Sequence, residues 1–142
     1  MRYLISSILL MFSFSLSAAE PLQNQKAMQA LVETVMKDVG KGNLKDGMER
    51  LKPYVLFPVT EMNAQVSQVE RQMPLVLQRY GKPVGFDLIK VEEAGNSLIQ
   101  YAYLQKFEKH ALVWRFIFYQ SNGQWMLNHW SFDDKVKMLF WY

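Results

Sequence analysis

Residues 111–120, ALVWRFIFYQ, constrain this chain more than any other stretch. The run contains neither Gly nor Pro, and its aromatic and branched side chains suit a pleated, buried surface. Period two sorts it into two faces. Leu112, Trp114, Phe116 and Phe118 make a wholly apolar face, which is expected to receive helices. Val113, Arg115, Ile117 and Tyr119 make the other, where apolar bulk surrounds one charge. A sheet apolar on both sides either has both faces covered or meets a partner.

The flanking sequence extends the sheet. Ser121-Asn122-Gly123-Gln124 follows, and Asn-Gly is the strongest short-range hairpin signal. Strands are predicted over 86–93, 98–108, 111–120 and 124–133, with a turn at 94–97 and a corner at Lys109-His110. His110 is expected to be a solvated corner residue. Short connections imply antiparallel neighbours, hence a meander in chain order.

Register decides which residues share a face. A two-residue turn sets Gln120 opposite Trp125, Phe116 opposite His129 and Arg115 opposite Trp130. A three-residue loop sets Arg115 opposite His129 and Trp114 opposite Trp130. The two-residue turn is preferred because its twist matches the strands. It stacks Arg115 on Trp130.

Before residue 81 the period is helical. Met28, Leu31, Val32, Val35, Met36 and Val39 form one face, stopped by Gly40 and Gly42. Asn43 is placed to cap a second helix, with Asp46 in its first turn, Leu44, Met48 and Leu51 buried, and Lys52-Pro53 at its end. Thr60 is read as the cap of a third helix carrying Met62, Val66, Val69, Met73, Val76, Leu77 and Tyr80. Pro74 predicts a kink or break within it. Five of the 9 methionines (Met28, Met36, Met48, Met62, Met73) lie on these apolar faces, and core filling explains them better than a copper site.

The chain's 142 residues allow one domain with a real core, assigned to 20–142. Met1-Arg2-Tyr3, an apolar run over 4–16 and Ser17-Ala18-Ala19 read as a signal peptide over 1–19, cut before Glu20. The alternative is an uncleaved anchor, but the run is short for a bilayer. The expected location is periplasmic or secreted, with no membrane contact after cleavage. Net charge is +3, and loss of Arg2 with no acid leaves +2, too little to argue nucleic-acid binding. Cysteine is absent, which excludes disulfides and thiolate metal sites. Two His without Cys argue against a protein-built zinc site, and no cofactor is called for.

Helices first, then an antiparallel sheet ending in Gly123-Gln124-Trp125-Met126-Leu127 with His129 soon after, resemble the NTF2-like cone fold. The likeness spans roughly residues 22–134. It implies an α+β domain with N-terminal helices on a curved four-stranded meander; a cystatin-like wrap is the alternative architecture. One departure concerns the early strand pair of many members, for which only Tyr54-Val55-Leu56-Phe57 is available. The family includes isomerases, dehydratases and cyclases with Asp, His or Tyr in the cone, and also non-catalytic binding or dimerising domains. No catalytic motif of any enzymatic branch matches here.

The candidate binding residues are Tyr101, Tyr103, Trp114, Arg115 and His129; the aromatic ones, with Trp125, read equally well as plain core. Arg115 could grip a carboxylate or phosphate with its planar fork. The plainer account is an ion pair with Glu108 or Asp133, or a packed stem with its head in water. His129 and Asp133 sit four residues apart on one strand, about 13 Å by strand rise, so they form no direct acid–base dyad. The leading expectation is a non-catalytic exported domain that binds a small apolar or anionic ligand, or a protein partner, through the cone or outer sheet face, as a homodimer. The rival is a cone-fold isomerase or hydrolase with His129 and Arg115 in one cavity. A third reading uses the sheet edge or the KMLFWY tail as an interaction element. The tail, apolar at a chain end, is expected to dock on the domain or on a second copy.

Overall fold

The computed structural model describes residues 21–141. The expected signal peptide over 1–19 and the terminal Tyr142 lie outside the described residues. The chain runs α1 (Gln25–Val39), α2 (Leu44–Glu49), α3 (Val59–Tyr80), β1 (Pro83–Ala94), β2 (Leu98–Phe107), β3 (Ala111–Ser121) and β4 (Gln124–Asp133). Short 3-10 turns occupy Lys52–Tyr54 and Val136–Phe140. This is an α+β arrangement in which three helices precede an open antiparallel sheet of order β1-β2-β3-β4.

Local chemistry accounts for the ends of α1. Asn24 caps α1 by accepting the Ala27 N–H at 2.9 Å, and Gly40 follows its last residue. Met28, Val32, Val35, Met36 and Val39 are its buried stripe. In α2, Leu44 and Met48 are buried, with Leu51 just beyond it. Gly47 sits where α2 crosses α1: a Cβ there would lie 2.9 Å from the Val35 carbonyl oxygen and 3.1 Å from Val39 Cγ2. Glycine is what lets the two helices approach so closely.

Three helix expectations need correction. Asn43 precedes α2, but its side chain makes no capping bond. Thr60 is not the cap of α3: the helix begins at Val59, and the cap position falls on Pro58, whose ring fixes a φ of −58° for chain entry. Of the kink or break read at Pro74, the break is absent, since α3 continues to Tyr80. The carbonyl that Pro74 leaves without its helical partner belongs to Glu70, and both residues are exposed, where water can satisfy it. Met62, Val66, Val69 and Tyr80 anchor the helix on both sides of that point, while Leu77 stands 42% exposed.

The even-numbered face of β3 meets the helices as the alternation requires. Trp114, Phe116 and Phe118 are wholly buried, Leu112 nearly so. Trp114 stacks against Trp130 at 6.1 Å and Phe132 at 4.8 Å between ring centroids. Tyr101 and Tyr103 of β2 pair with Phe116 and Trp114 and complete this layer.

The hairpin turn is the two-residue one. Asn122 and Gly123 have φ of 51° and 75°, and Gln120 opposes Trp125. The predicted register fails further along, where a bulge intervenes. Phe118 opposes Leu127 but Ile117 opposes His129, so Asn128 is the extra residue. Phe116 therefore meets Trp130, not His129, and Arg115 meets Ser131, not Trp130. The bulge turns Trp130 inward; burying such a side chain is worth roughly 2–3 kcal/mol, more than an exposed cation–π stack returns.

The segment read as a remnant strand lies along the β4 edge. Val55 forms a parallel bridge with Leu127, whose carbonyl accepts the Leu56 N–H at 2.9 Å. Leu22 bridges Trp125 on β4 and accepts its N–H at 2.9 Å. The C-terminal turn packs beside β3, yet Phe140 is 80% and Trp141 69% exposed. These two rings do not dock on their own domain.

Candidate functional site: the outer face of the sheet

The five candidate residues divide between the two sides of the sheet. Tyr101, Tyr103 and Trp114 lie under the helices, fully buried. They serve as core. The cavity beside Trp114, bordered by Val39, Leu44, Met73 and Phe107, holds about 30 Å³, room for one water rather than a ligand. The polar atoms here are mostly engaged. Trp114 Nε1 donates to Gln105 Oε1 at 2.9 Å, and Gln105 Nε2 donates to the Val39 carbonyl at 2.8 Å. Tyr101 Oη donates to the Gln25 carbonyl at 2.9 Å. Burial, with a smaller contribution from Glu93, pushes the Tyr101 phenol up to about 12. Burial likewise raises Tyr103, whose hydroxyl has no hydrogen-bond partner among the described residues. Gln105, buried between the helices and Trp114, escaped sequence reasoning because a lone Gln in a strand carries no pattern.

Arg115 and His129 lie together on the other side. Strand pairing puts Leu98, Tyr119 and Met126 on one level of this outer face, and Glu92, Gln100, Ile117 and His129 on the next. Lys90, Ala102, Arg115 and Ser131 follow. Tyr119 and His129 are exposed; Leu98, Ile117 and Met126 are half-buried. Arg115 Nη1 donates to Asp133 Oδ2 at 2.6 Å, the plainer of the two sequence readings. His129 and Asp133 share the face but are separated by the Ser131 level, so the acid–base dyad is absent as expected.

A polar corner closes the far end of the sheet. Tyr80 Oη donates to Asp134 Oδ2 at 2.9 Å, and burial, then Asp134, raise its phenol. His110 is not the solvated residue expected: it is half-buried, with its ring edge-on to Tyr80 at 4.6 Å. The Lys109 N–H donates to the Tyr80 carbonyl at 2.9 Å, which draws the corner under the end of α3 and covers the imidazole.

Among the described residues no cluster of His, Asp or Glu could hold a metal ion, and no helix is long and apolar enough to cross a membrane. Comparison of the chain with protein-family models, curated proteins and solved structures finds no match in any of the three. The outer face offers apolar side chains ringed by Glu92, Lys90, Arg115 and His129, a composition suited to docking a protein surface.

Proposed function

We propose that this protein is a non-catalytic, exported domain of NTF2-like architecture that works by association through its outer sheet face, first of all with a second copy of itself. One observation carries the reading: the helices cover one side of the sheet, while Leu98, Ile117, Tyr119 and Met126 gather on the other, Tyr119 exposed and the rest half-buried. Contiguous apolar side chains of this kind mark interaction sites. The small volume beside Trp114 favours this face over an interior ligand. Arg115 serves as a structural ion-pair partner, and His129 projects from an open surface. The order of helices before the meander and the Gly123-Gln124-Trp125 strand start support the cone architecture. The basic start, the short apolar run and Ser17-Ala18-Ala19 support export.

Sedimentation velocity at tens of micromolar tests the proposal. The purified protein is expected to sediment as a dimer, and Ile117→Lys or Tyr119→Glu to convert it to a folded monomer. A wild-type monomer at that concentration defeats the reading.

A further inference from the structure

Four side chains of the outer face share one level across the whole sheet. Glu92 pairs with Gln100, Gln100 with Ile117, and Ile117 with His129. Glu92 stands on the first strand and His129 on the last, both exposed. With strands about 4.8 Å apart, these two side chains lie about 14 Å from each other and cannot meet within one chain.

A second copy brings them together. An isologous contact is generated by a twofold axis lying in the interface. When that axis runs along the strands between β2 and β3, the first strand of one copy covers the last strand of the other at the same level. Leu98 then faces Tyr119, Gln100 faces Ile117, and Glu92 faces His129. Sheets packed face to face lie about 10 Å apart, a gap that a Glu and a His side chain reaching toward each other can close. A twofold axis across the strands would instead set unlike levels against each other and bring no such pairing.

Resting on the outer-face reading above, we infer that two copies pair about this strand-parallel axis, with Glu92 of each against His129 of the other, so that association tightens when His129 is protonated. The local charges permit it. Glu92 contacts Lys90 Nζ at 3.0 Å and Gln100 Nε2 at 3.1 Å, contacts between partly exposed side chains that are readily exchanged. Around His129, Ile117 lies across the strand, Ser131 and Asp133 follow along it, and the diagonal Arg115 is held by Asp133. The helices pack on the opposite side of the sheet; the C-terminal turn against β3 brings Lys135 and Lys137, and the Lys52–Tyr54 turn against β4 brings Lys52, which pairs with Glu49.

Only the imidazolium form of a histidine makes an ion pair with a carboxylate, and acid favours that form, so each dimer gains two ion pairs as pH falls. The dissociation constant is expected to be about five- to thirtyfold lower at roughly pH 5.5 than at pH 8.

Sedimentation equilibrium of the purified protein at both pH values decides it. His129→Gln and Glu92→Gln should each abolish the pH dependence, and the exchanged pair Glu92→His with His129→Glu should restore it. His110→Gln should leave it intact. Equal constants at both pH values, in a dimer that Ile117→Lys still dissociates, overturn the pairing and leave the outer-face reading standing. A dimer indifferent to Ile117→Lys, or a monomer at both pH values, overturns both.

Discussion

Asp133 holds Arg115 with one carboxylate oxygen and the start of the C-terminal turn with the other. Oδ2 accepts from Arg115 Nη1 at 2.6 Å, and Oδ1 accepts the Lys135 N–H at 2.8 Å. A single side chain thus ties β3 to the segment that follows β4. Asp133→Ala removes both bonds and is expected to cost roughly 1–2 kcal/mol, whereas Arg115→Met, which keeps the packed stem, costs under about 1 kcal/mol. Urea denaturation of the two single variants and the double variant measures this. The Asp133→Ala cost should shrink, without vanishing, once Arg115 is gone.

Gln105 is the polar hinge of the core. Its amide satisfies both the Trp114 indole N–H and the Val39 carbonyl, at 2.9 and 2.8 Å. Gln105→Leu leaves both groups buried and unpaired, a loss of about 2–4 kcal/mol. Adding Trp114→Phe removes one orphan, so calorimetry of the double variant should show less than the sum of the two single losses.

Gly47→Ala tests the approach of α1 and α2. Helix propensity alone predicts a gain of about 1 kcal/mol. The added Cβ would meet the Val35 carbonyl oxygen at 2.9 Å, a backbone atom that cannot yield cheaply. A net loss of roughly 1–3 kcal/mol in denaturant midpoint analysis is expected.

Tyr101 sets an alkaline limit. Its folded-state pKa, pushed up to about 12, lies above the ordinary 10.0. Between these values the unfolded chain has released the phenolic proton and the folded chain has not. Stability is therefore undiminished below pH 10 and falls as pH rises toward 12. Tyr101→Phe should lessen that decline in thermal melts taken between about pH 9 and pH 11.5 without abolishing it, because the raised Tyr103 and Tyr80 phenols add to it in the same direction.

The sheet was largely legible in the sequence because its signals are local and repeated. The alternation through Leu112, Trp114, Phe116 and Phe118 found the buried face, and Asn122-Gly123 found the turn. The bulge at Asn128 was not legible, since it answers to a distant demand: Trp130 must enter a core whose other wall is Trp114. One extra residue then reversed the expected partners of Arg115 and His129. The same holds for His110, whose cover is Tyr80 at the end of α3. Nor does a lone Gly47 inside a helical pattern disclose its reason, the Val35 carbonyl, which lies on another element. The candidate site suffered most from this. Alternation alone parted Trp114 from Arg115, but only register puts Tyr101 and Tyr103 beside Trp114 and His129 on the face of Arg115.

The two borders of the sheet have unequal exposure. Leu22 and Val55 cover the β4 border near Trp125 and Leu127, while β1 is interrupted by register shifts after Pro83 and after Leu88. Border-to-border growth would need a straight, vacant ladder on both flanks of every copy. With the β4 border already occupied, one copy cannot add to the next border to border, and that route to an endless sheet is blocked.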